Sequence, residues 1–400
     1  MNWKQFIFLL VLVAVLGAAG LMLEQRNSKS WQSAGRSLGQ KLLGELAPDW
    51  VNGVAGIAIK SGTNEVNLVK TDNLWRVRER GGYPADYSLI SGFLLKAVDL
   101  KVTQTEEIGP SQLGRFKLLP PGPATNTGTL VEFKDQGGKT LKSLLIGKPH
   151  LHKSARPAPA SDFGDEGWPD GRYVMVGVGA KTAAVISDPL STAEAKPEQW
   201  LNKDFFKVEK IRSLAVSFPA ATNSWRVSRE TESGDWKLAE AKPDEQLDST
   251  KTASFSTALS SPTFLDVLSA ETKPDQTGLD KPTVITVDTF DNFTYTLKVG
   301  AKTNDNDYLT VSVTAALPKE RTPGKDEKPE DKTKLNKEFQ DNQAKLADKL
   351  KQEQGCGKWI YQVSGWTFDS LLKERSQLLV EKKDETKPEE KPVEAKQAGE

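Results

Sequence analysis

The sequence predicts an α+β fold: two tandem copies of a mainly antiparallel β-sheet unit, each with a packed helix, preceded by one N-terminal transmembrane helix. Three observations carry this expectation. An unbroken apolar run opens the chain. Stretches of alternating apolar residues then recur in the same order twice. A helical stripe follows the third such stretch in the first copy.

Residues Phe6 to Leu23 (FIFLLVLVAVLGAAGLML) contain no polar side chain. At 1.5 Å per residue they just cross a bilayer core of about 30 Å, where a helix satisfies its own backbone groups. Trp3 falls at headgroup level. The competing reading is a cleaved signal peptide, with Gly17 and Ala19 as the small residues a peptidase needs. Apolar character continues to Leu23, which favours an uncleaved anchor over 1–26. Lys4 faces Arg26, Lys29, Arg36 and Lys41 across it, an asymmetry that taken alone keeps the bulk inside. Long domains cross largely regardless of charge, so the expected arrangement is a single-pass inner-membrane protein with its bulk periplasmic or extracytoplasmic. Residues 27–48 are the juxtamembrane segment.

The duplication starts with Val51-x-x-Val54-x-x-Ile57-x-Ile59, matched in spacing by Val208-x-x-Ile211-x-x-Leu214-x-Val216. Apolar residues two apart share one face of a strand. Val66-x-Leu68-x-Lys70 and Trp75-Arg-Val77 are matched by Trp225-x-Val227-x-Arg229 and Trp236-Lys-Leu238. Gly81-Gly82 predicts a turn, Pro84 a first helical turn, and Asp86 a carboxylate at the positive helix end. Ile90, Phe93, Leu94, Ala97 and Val98 make the stripe. The second copy has only Phe255 and Leu259 before Pro262. Thr129–Phe133 and Leu144-Leu-Ile146-Gly147 correspond to Thr283–Val287 and Leu297-Lys-Val299-Gly300. Gly171–Met175 corresponds to Gly357–Tyr361, with an insertion before each at an equivalent place: an irregular loop over Pro149–Asp170, and a charged stretch turning helical within 315–357. The units are thus 49–205 and 206–380, and the charged, Pro-containing 381–400 is a disordered tail.

Chemistry is sparsely provided. Lys plus Arg equals Asp plus Glu at 54 each, which excludes a nucleic-acid binder unless charge is segregated. One cysteine excludes a disulfide within the chain and multi-Cys metal sites. His150 and His152 are the only imidazoles; a solvated turn outweighs a metal site completed by Asp162, Asp165 or Glu166. Cys356 between two glycines has no histidine near it in sequence to act as a base. No cofactor, metal or catalytic residue is expected. The candidate partner-binding residues are the amphipathic stripe Leu335, Phe339, Leu346 and Leu350, and two tryptophans outside the strand patterns, Trp168 and Trp366.

The run Glu79-Arg-Gly-Gly-Tyr-Pro-Ala-Asp86, between Leu74-Trp-Arg-Val77 and the helix ending Leu94–Val102, resembles the membrane-anchored family catalogued as domain of unknown function 4340. Trp200-Leu-Asn-Lys-Asp-Phe-Phe206 is similar to that family's mid-chain connector. The resemblance implies one transmembrane helix, a β-rich extracytoplasmic region and a place beside ABC-type transport or gliding-motility components. It supplies no catalytic residue; Gly81, Gly82, Tyr83, Pro84, Ala85 and Asp86 are its family-motif positions. The expected role is a non-enzymatic accessory protein working through protein–protein contacts. The alternative is a cell-envelope glycan- or peptide-binding module using exposed aromatics.

Overall fold

The structure, a computed structural model, describes residues 38–44, 49–152, 168–268, 272–300, 305–324 and 327–381. The expected anchor and tail lie outside these residues. Among the described residues no helix is long and apolar enough to cross a membrane. The chain divides into two compact units, one ending at Lys203 and the other starting at Asp204.

The first unit runs α1 (Asp49–Asn52), β1 (Gly56–Ser61), β2 (Asn64–Thr71), β3 (Leu74–Val77), β4 (Tyr83–Pro84), α2 (Tyr87–Asp99), β5 (Val102–Glu107), β6 (Thr129–Lys134), β7 (Thr140–His152), β8 (Trp168–Val176) and β9 (Thr182–Ile186). Its strands form one sheet in the order β4-β3-β2-β1-β6-β7-β8-β9-β5. The second unit runs β10 (Ile211–Ser217), β11 (Trp225–Ser228), β12 (Lys237–Leu238), α3 (Ser249–Thr252), β13 (Asp266–Val267), β14 (Thr283–Thr289), β15 (Phe293–Val299), β16 (Asn306–Ala315), α4 (Lys332–Gln354) and β17 (Tyr361–Ser364). Its sheet order is β12-β11-β10-β14-β15-β16-β17-β13. Apart from the extra edge strand β4, the two orders are the same.

The correspondence holds residue by residue. Ile57 pairs with Leu68 and Phe133, and its counterpart Leu214 pairs with Val227 and Val287. Ile59 pairs with Val66 and Val131, as Val216 does with Trp225 and Ile285. Leu144 lies opposite Val131, and Leu297 opposite Ile285. A one-residue slip moves every side chain to the other face, so equal register means equal cores.

The last matched strand corrects the expectation. Gly357–Tyr361 does not stand where Gly171–Met175 stands. Gly355–Lys358 is a 3₁₀ turn, and Tyr361 opens β17, which occupies the place of β9. The counterpart of β8 is β16, whose Leu309 and Val311 face Val299 and Leu297. The insertions therefore enter different hairpins: the first between β7 and β8, the second between β16 and β17. The first is also shorter than expected, because β7 extends to His152 and β8 begins at Trp168.

On one face of the first sheet Ile57, Ile59, Val131, Phe133 and Leu144 are buried, and α2 covers them with Ile90, Phe93 and Ala97. The Phe93 ring lies 5.9 Å from Phe133 and 5.8 Å from Trp200. The opposite face carries a second apolar cluster of Leu145, Tyr173, Met175, Ala183 and Val185, covered by Ile108, Leu113, Phe116 and Leu118 from the β5–β6 connection. Leu144-Leu-Ile146 is continuous because both faces of β7 are buried there. The second unit reads Leu297-Lys-Val299, and Lys298 is exposed. Its helix is reduced to α3 and a 3₁₀ turn, where Phe255 stacks on Trp225 at 5.2 Å.

Candidate functional site

Residues Gly81 to Asp86 occupy the strip between β3 and α2. Gly81 and Gly82 both take left-handed backbone angles, φ 63° and 76°, which residues with a Cβ adopt with strain. The turn they form returns the chain so that Tyr83 pairs with Val77, and Pro84 with Arg76. Pro84 is thus an edge-strand residue and not part of a first helical turn, a place that suits a residue without an N–H. Arg76 donates to the Gly82 carbonyl at 3.1 Å. The Glu79 carboxylate accepts from the Asn67 backbone and side chain at 2.9 and 2.8 Å. Asp86 is the N-cap of α2, accepting from Ser88 N at 2.8 Å and Leu89 N at 3.1 Å.

This strip is the receiving half of a clasp. Asp86 N donates to Trp200 O at 2.8 Å, and Asn202 N donates to Pro84 O at 2.9 Å, with Ala85 bridging Leu201. Trp200 is buried and donates its indole N–H to Glu194 O at 3.2 Å. Arg80 lies 3.7 Å from Glu198 across the same junction. The two segments that carry the family resemblance therefore hold each other, and the end of the first unit is tied to the start of its helix.

The second unit repeats the clasp. Asp248 N donates to Leu378 O and Val380 N to Gln246 O, both at 2.9 Å, with Leu247 bridging Leu379. Asp248 is again an N-cap, accepting from Thr250 N. Its ion pair is closer: Arg375 lies 2.7 Å from Glu245, and its hydrogen bond holds that carboxyl down at about 2. An aspartate opening each helix, and Leu378-Leu-Val380 in place of Trp200-Leu-Asn202, are the signals that mark the repetition.

His150 lies near the end of β7 where it pairs with β8, its Nδ1 2.6 Å from Asp170 Oδ1. The backbone bulges between His150 and Leu151, which disturbs the simple alternation of faces. The His152 side chain lies outside the described residues. The His150 ring meets Tyr173 edge-on at 5.4 Å, Tyr173 packs on Phe116 at 4.7 Å, and the Lys148 ammonium sits 4.9 Å from the Phe116 ring. Burial, then the neighbouring Glu106 carboxylate, raises the Tyr173 hydroxyl above the ordinary phenol range. This cluster fixes the rim of the second apolar cluster. Among the described residues no group of three or more His, Cys, Asp and Glu side chains could hold a metal ion.

The structure places the partner-binding candidates separately. Trp366 follows β17 in a 3₁₀ turn and is 72% exposed. Trp168 pairs with His152 through its backbone, and its side chain lies outside the described residues. Leu335, Phe339, Leu346 and Leu350 run along one half-buried side of α4. One turn beyond them Glu353 is buried. Its carboxylate accepts from Tyr295 OH at 2.8 Å, Lys207 N at 2.9 Å and Lys349 Nζ at 2.5 Å. Burial first, then Glu353, pushes the Tyr295 hydroxyl far up, so it remains a donor. Cys356 is buried and its thiol is raised by that burial, the reverse of what a thiolate nucleophile needs.

Two open antiparallel sheet modules in tandem, each fastened by a clasp beside an N-capped helix, define the class: a duplicated antiparallel α+β protein. The family model described as "Domain of unknown function (DUF4340)" matches residues 162–282, a stretch that runs from the first unit into the second. The match includes the Trp200–Phe206 connector and not the Gly81–Asp86 segment. No curated protein and no solved structure matches.

Proposed function

We propose that the protein is a non-enzymatic, membrane-anchored accessory component of an ABC-type transport or gliding-motility apparatus, acting through extracytoplasmic protein–protein contacts. The observation that carries this reading is the use of the family-motif residues. Gly81–Asp86 turn the chain, cap α2 and receive Trp200–Asn202, which is the work of a scaffold segment. The apolar run Phe6–Leu23 supports attachment to a membrane. The place in a transporter comes from the family analogy, since a fold by itself does not specify function. Affinity purification of the full chain from membranes in mild detergent tests it. Transporter subunits co-eluting in stoichiometric amount is the expected result, and a chain that elutes alone refutes it.

Trp366 favours a second reading, a cell-envelope module that binds glycan or peptide. A tryptophan this exposed is the type of anchor on which binding energy concentrates. Binding of cell-wall glycan that disappears in Trp366→Ala, with transporter subunits absent from the eluate, selects this reading over the first.

A further inference from the structure

The two sheets treat their second face differently. In the first unit Tyr173 and Met175 on β8 and Val185 on β9 lie under the connection 108–128, and the Phe116 ring packs on Tyr173 at 4.7 Å. Register puts Tyr308, Thr310 and Gln362 at the same places in the second sheet. Met175 pairs with Leu145 and Tyr173 with Val185 in the first; Thr310 pairs with Lys298 and Tyr308 with Gln362 in the second. The corresponding connection there, 268–282, is shorter. Its main chain at Thr277 comes against Gly300, whose N donates to Tyr308 O at 2.8 Å. Among the described residues no ring packs on Tyr308.

The uncovered corner continues along both strands. Asn306 pairs with Ser364 as Tyr308 does with Gln362. With Thr310 these side chains share the face opposite the buried Asp307, Leu309, Tyr361 and Val363. All five are half-buried, and among the described residues none makes a side-chain hydrogen bond. Toward the other end of the same face the polar groups satisfy one another: Asp288 accepts from Ser213 Oγ at 2.7 Å and from Thr294 Oγ1 at 2.8 Å. Gly365 N donates to Asp305 O at 2.8 Å, which carries the pairing past Ser364 and delivers the exposed Trp366 at the Asn306 end of the corner. Four residues separate Trp366 from Gln362, at most about 13 Å of extended chain, so a short oligosaccharide reaches both.

The charge of the corner narrows its ligand. None of Asn306, Tyr308, Thr310, Gln362, Ser364 and Trp366 is ionisable near neutral pH, in a chain of which 27% is Asp, Glu, Lys or Arg. Lys298, Asp266 and Asp305 stand at its border. Such a surface offers nothing to an anionic lipid, a nucleic acid or a charged peptide. A peptide bound by strand addition needs a free strand edge, and β17 has β16 on one side and β13 on the other. Amides and hydroxyls that both give and take hydrogen bonds, beside an aromatic ring with no ring upon it, match the hydroxyls and apolar ring faces of a sugar.

We propose that this corner binds an uncharged glycan chain. The glycan gives Tyr308 the contact that Phe116 gives Tyr173, Asn306, Gln362 and Ser364 hold its hydroxyls, and Trp366 packs on a further sugar. The inference rests on the second reading above, that Trp366 meets a cell-envelope ligand, and adds to it the place of the site and the choice of glycan over peptide.

The test titrates the purified full chain calorimetrically with two uncharged probes, chitohexaose and cellohexaose. The expected result is that at least one binds, and that Tyr308→Ala and Gln362→Ala each weaken binding by about tenfold or more. Ser228→Ala, exposed on the same face at β11, is the control and should bind as the parent does. Binding that is lost in Trp366→Ala but unchanged in Tyr308→Ala and Gln362→Ala overturns the site and leaves the second reading standing. A parent that binds neither probe overturns the proposal. Sedimentation with cell-wall material then tests the second reading by itself: chain that pellets keeps it, and chain that stays in solution removes it too. Hydroxyl-radical footprinting of the unsubstituted chain is independent of how the variants fold. Tyr308 and Trp366 protected by the probe, with the exposed Tyr87 unchanged, support the proposal. Protection that leaves Tyr308 out, or that arises with neutral peptides and not with the hexasaccharides, overturns it.

Discussion

Gly147 and Gly300 end the same strand motif in the two copies, and replacing them tests whether the duplication is physical. A Cβ at Gly300 would lie 1.9 Å from Thr277 O and 3.0 Å from Thr277 C, both backbone atoms. A Cβ at Gly147 would lie 2.5 Å from Phe116 O and 2.9 Å from Leu118 Cδ2. Carbon–oxygen contacts settle near roughly 3.3 Å, so the chain must open by about 1.4 Å at Gly300 and about 0.8 Å at Gly147. Overpacking of this kind costs about 1–3 kcal/mol, with the larger displacement at or above the upper end. Alanine also narrows the unfolded ensemble, which returns about 0.4–1 kcal/mol. The expected net destabilisation is about 1–2 kcal/mol for Gly147→Ala and about 2–3 kcal/mol for Gly300→Ala. In a unit of this size, 1 kcal/mol moves Tm by about 2–4 °C, so Gly300→Ala should lower its transition by about 4–12 °C. Gly92→Ala is the internal control. It sits in the helix α2 with open space around it, and the same substitution should stabilise by up to about 1 kcal/mol. Thermal and urea unfolding followed by tryptophan emission measure all three. A Gly300→Ala protein as stable as the parent would refute the close approach, and with it the equivalence of the two glycines, each of which meets the segment following the edge strand of its sheet.

The clasps and latches give three further expectations. Asp86→Ala removes the cap that accepts from Ser88 and Leu89 and should cost about 1 kcal/mol in urea unfolding, with Asp86→Asn nearly neutral. Tyr295→Phe leaves one oxygen of the buried Glu353 carboxylate without its donor; a loss of about 1–3 kcal/mol is expected, together with faster amide exchange over 349–358. Glu245 is held at about 2, below its ordinary value of 4.5, first by its hydrogen bond from Arg375. A lowered carboxylate stabilises the fold above its unfolded-state value and loses that contribution as pH falls through its folded-state value. The Tm difference between the parent and Arg375→Gln should therefore be constant above about pH 5 and close between about pH 4.5 and 2. A difference that is flat through that window removes the ion pair from the account.

Legibility in the sequence followed periodicity. The alternation of Ile57 and Ile59, Val131 and Phe133, Leu144 and Ile146 was visible because each residue points into a core with strand spacing, and the paired registers reproduce it in both copies. Two kinds of feature were hidden. Gly171–Met175 and Gly357–Tyr361 share a residue pattern while occupying different strands, since a glycine, a base, an aromatic and a branched residue satisfy a 3₁₀ turn entering a strand as well as a strand interior. The clasps were hidden because they consist of main-chain bonds between segments more than a hundred residues apart, and such bonds impose almost nothing on side-chain type. Trp200 and Leu378 fill equivalent places and share only that they are large and apolar.

What was copied and what diverged bears on where partners bind. The strand order, the N-capping aspartate and the clasp are the same in both units, the clasp down to which backbone N–H meets which carbonyl. These parts close a module; a surface that discriminates between partners has to come from somewhere the two modules differ. Besides the edge strand β4 and the β7–β8 insertion, the described residues differ at the α2 face against the shortened α3, at the 108–127 excursion that covers the second face of the first sheet, and at the α4 insertion held by Glu353. Substitutions on the α2 face and the excursion should alter contacts made by the first unit and leave both clasps intact. The α4 insertion enters between β16 and β17, a hairpin that in the first unit is the short β8–β9 connection. Deleting it to the length of that connection leaves the second ladder complete. A binding activity lost in that deletion, in a protein that still unfolds cooperatively, would belong to the insertion and not to the repeated fold.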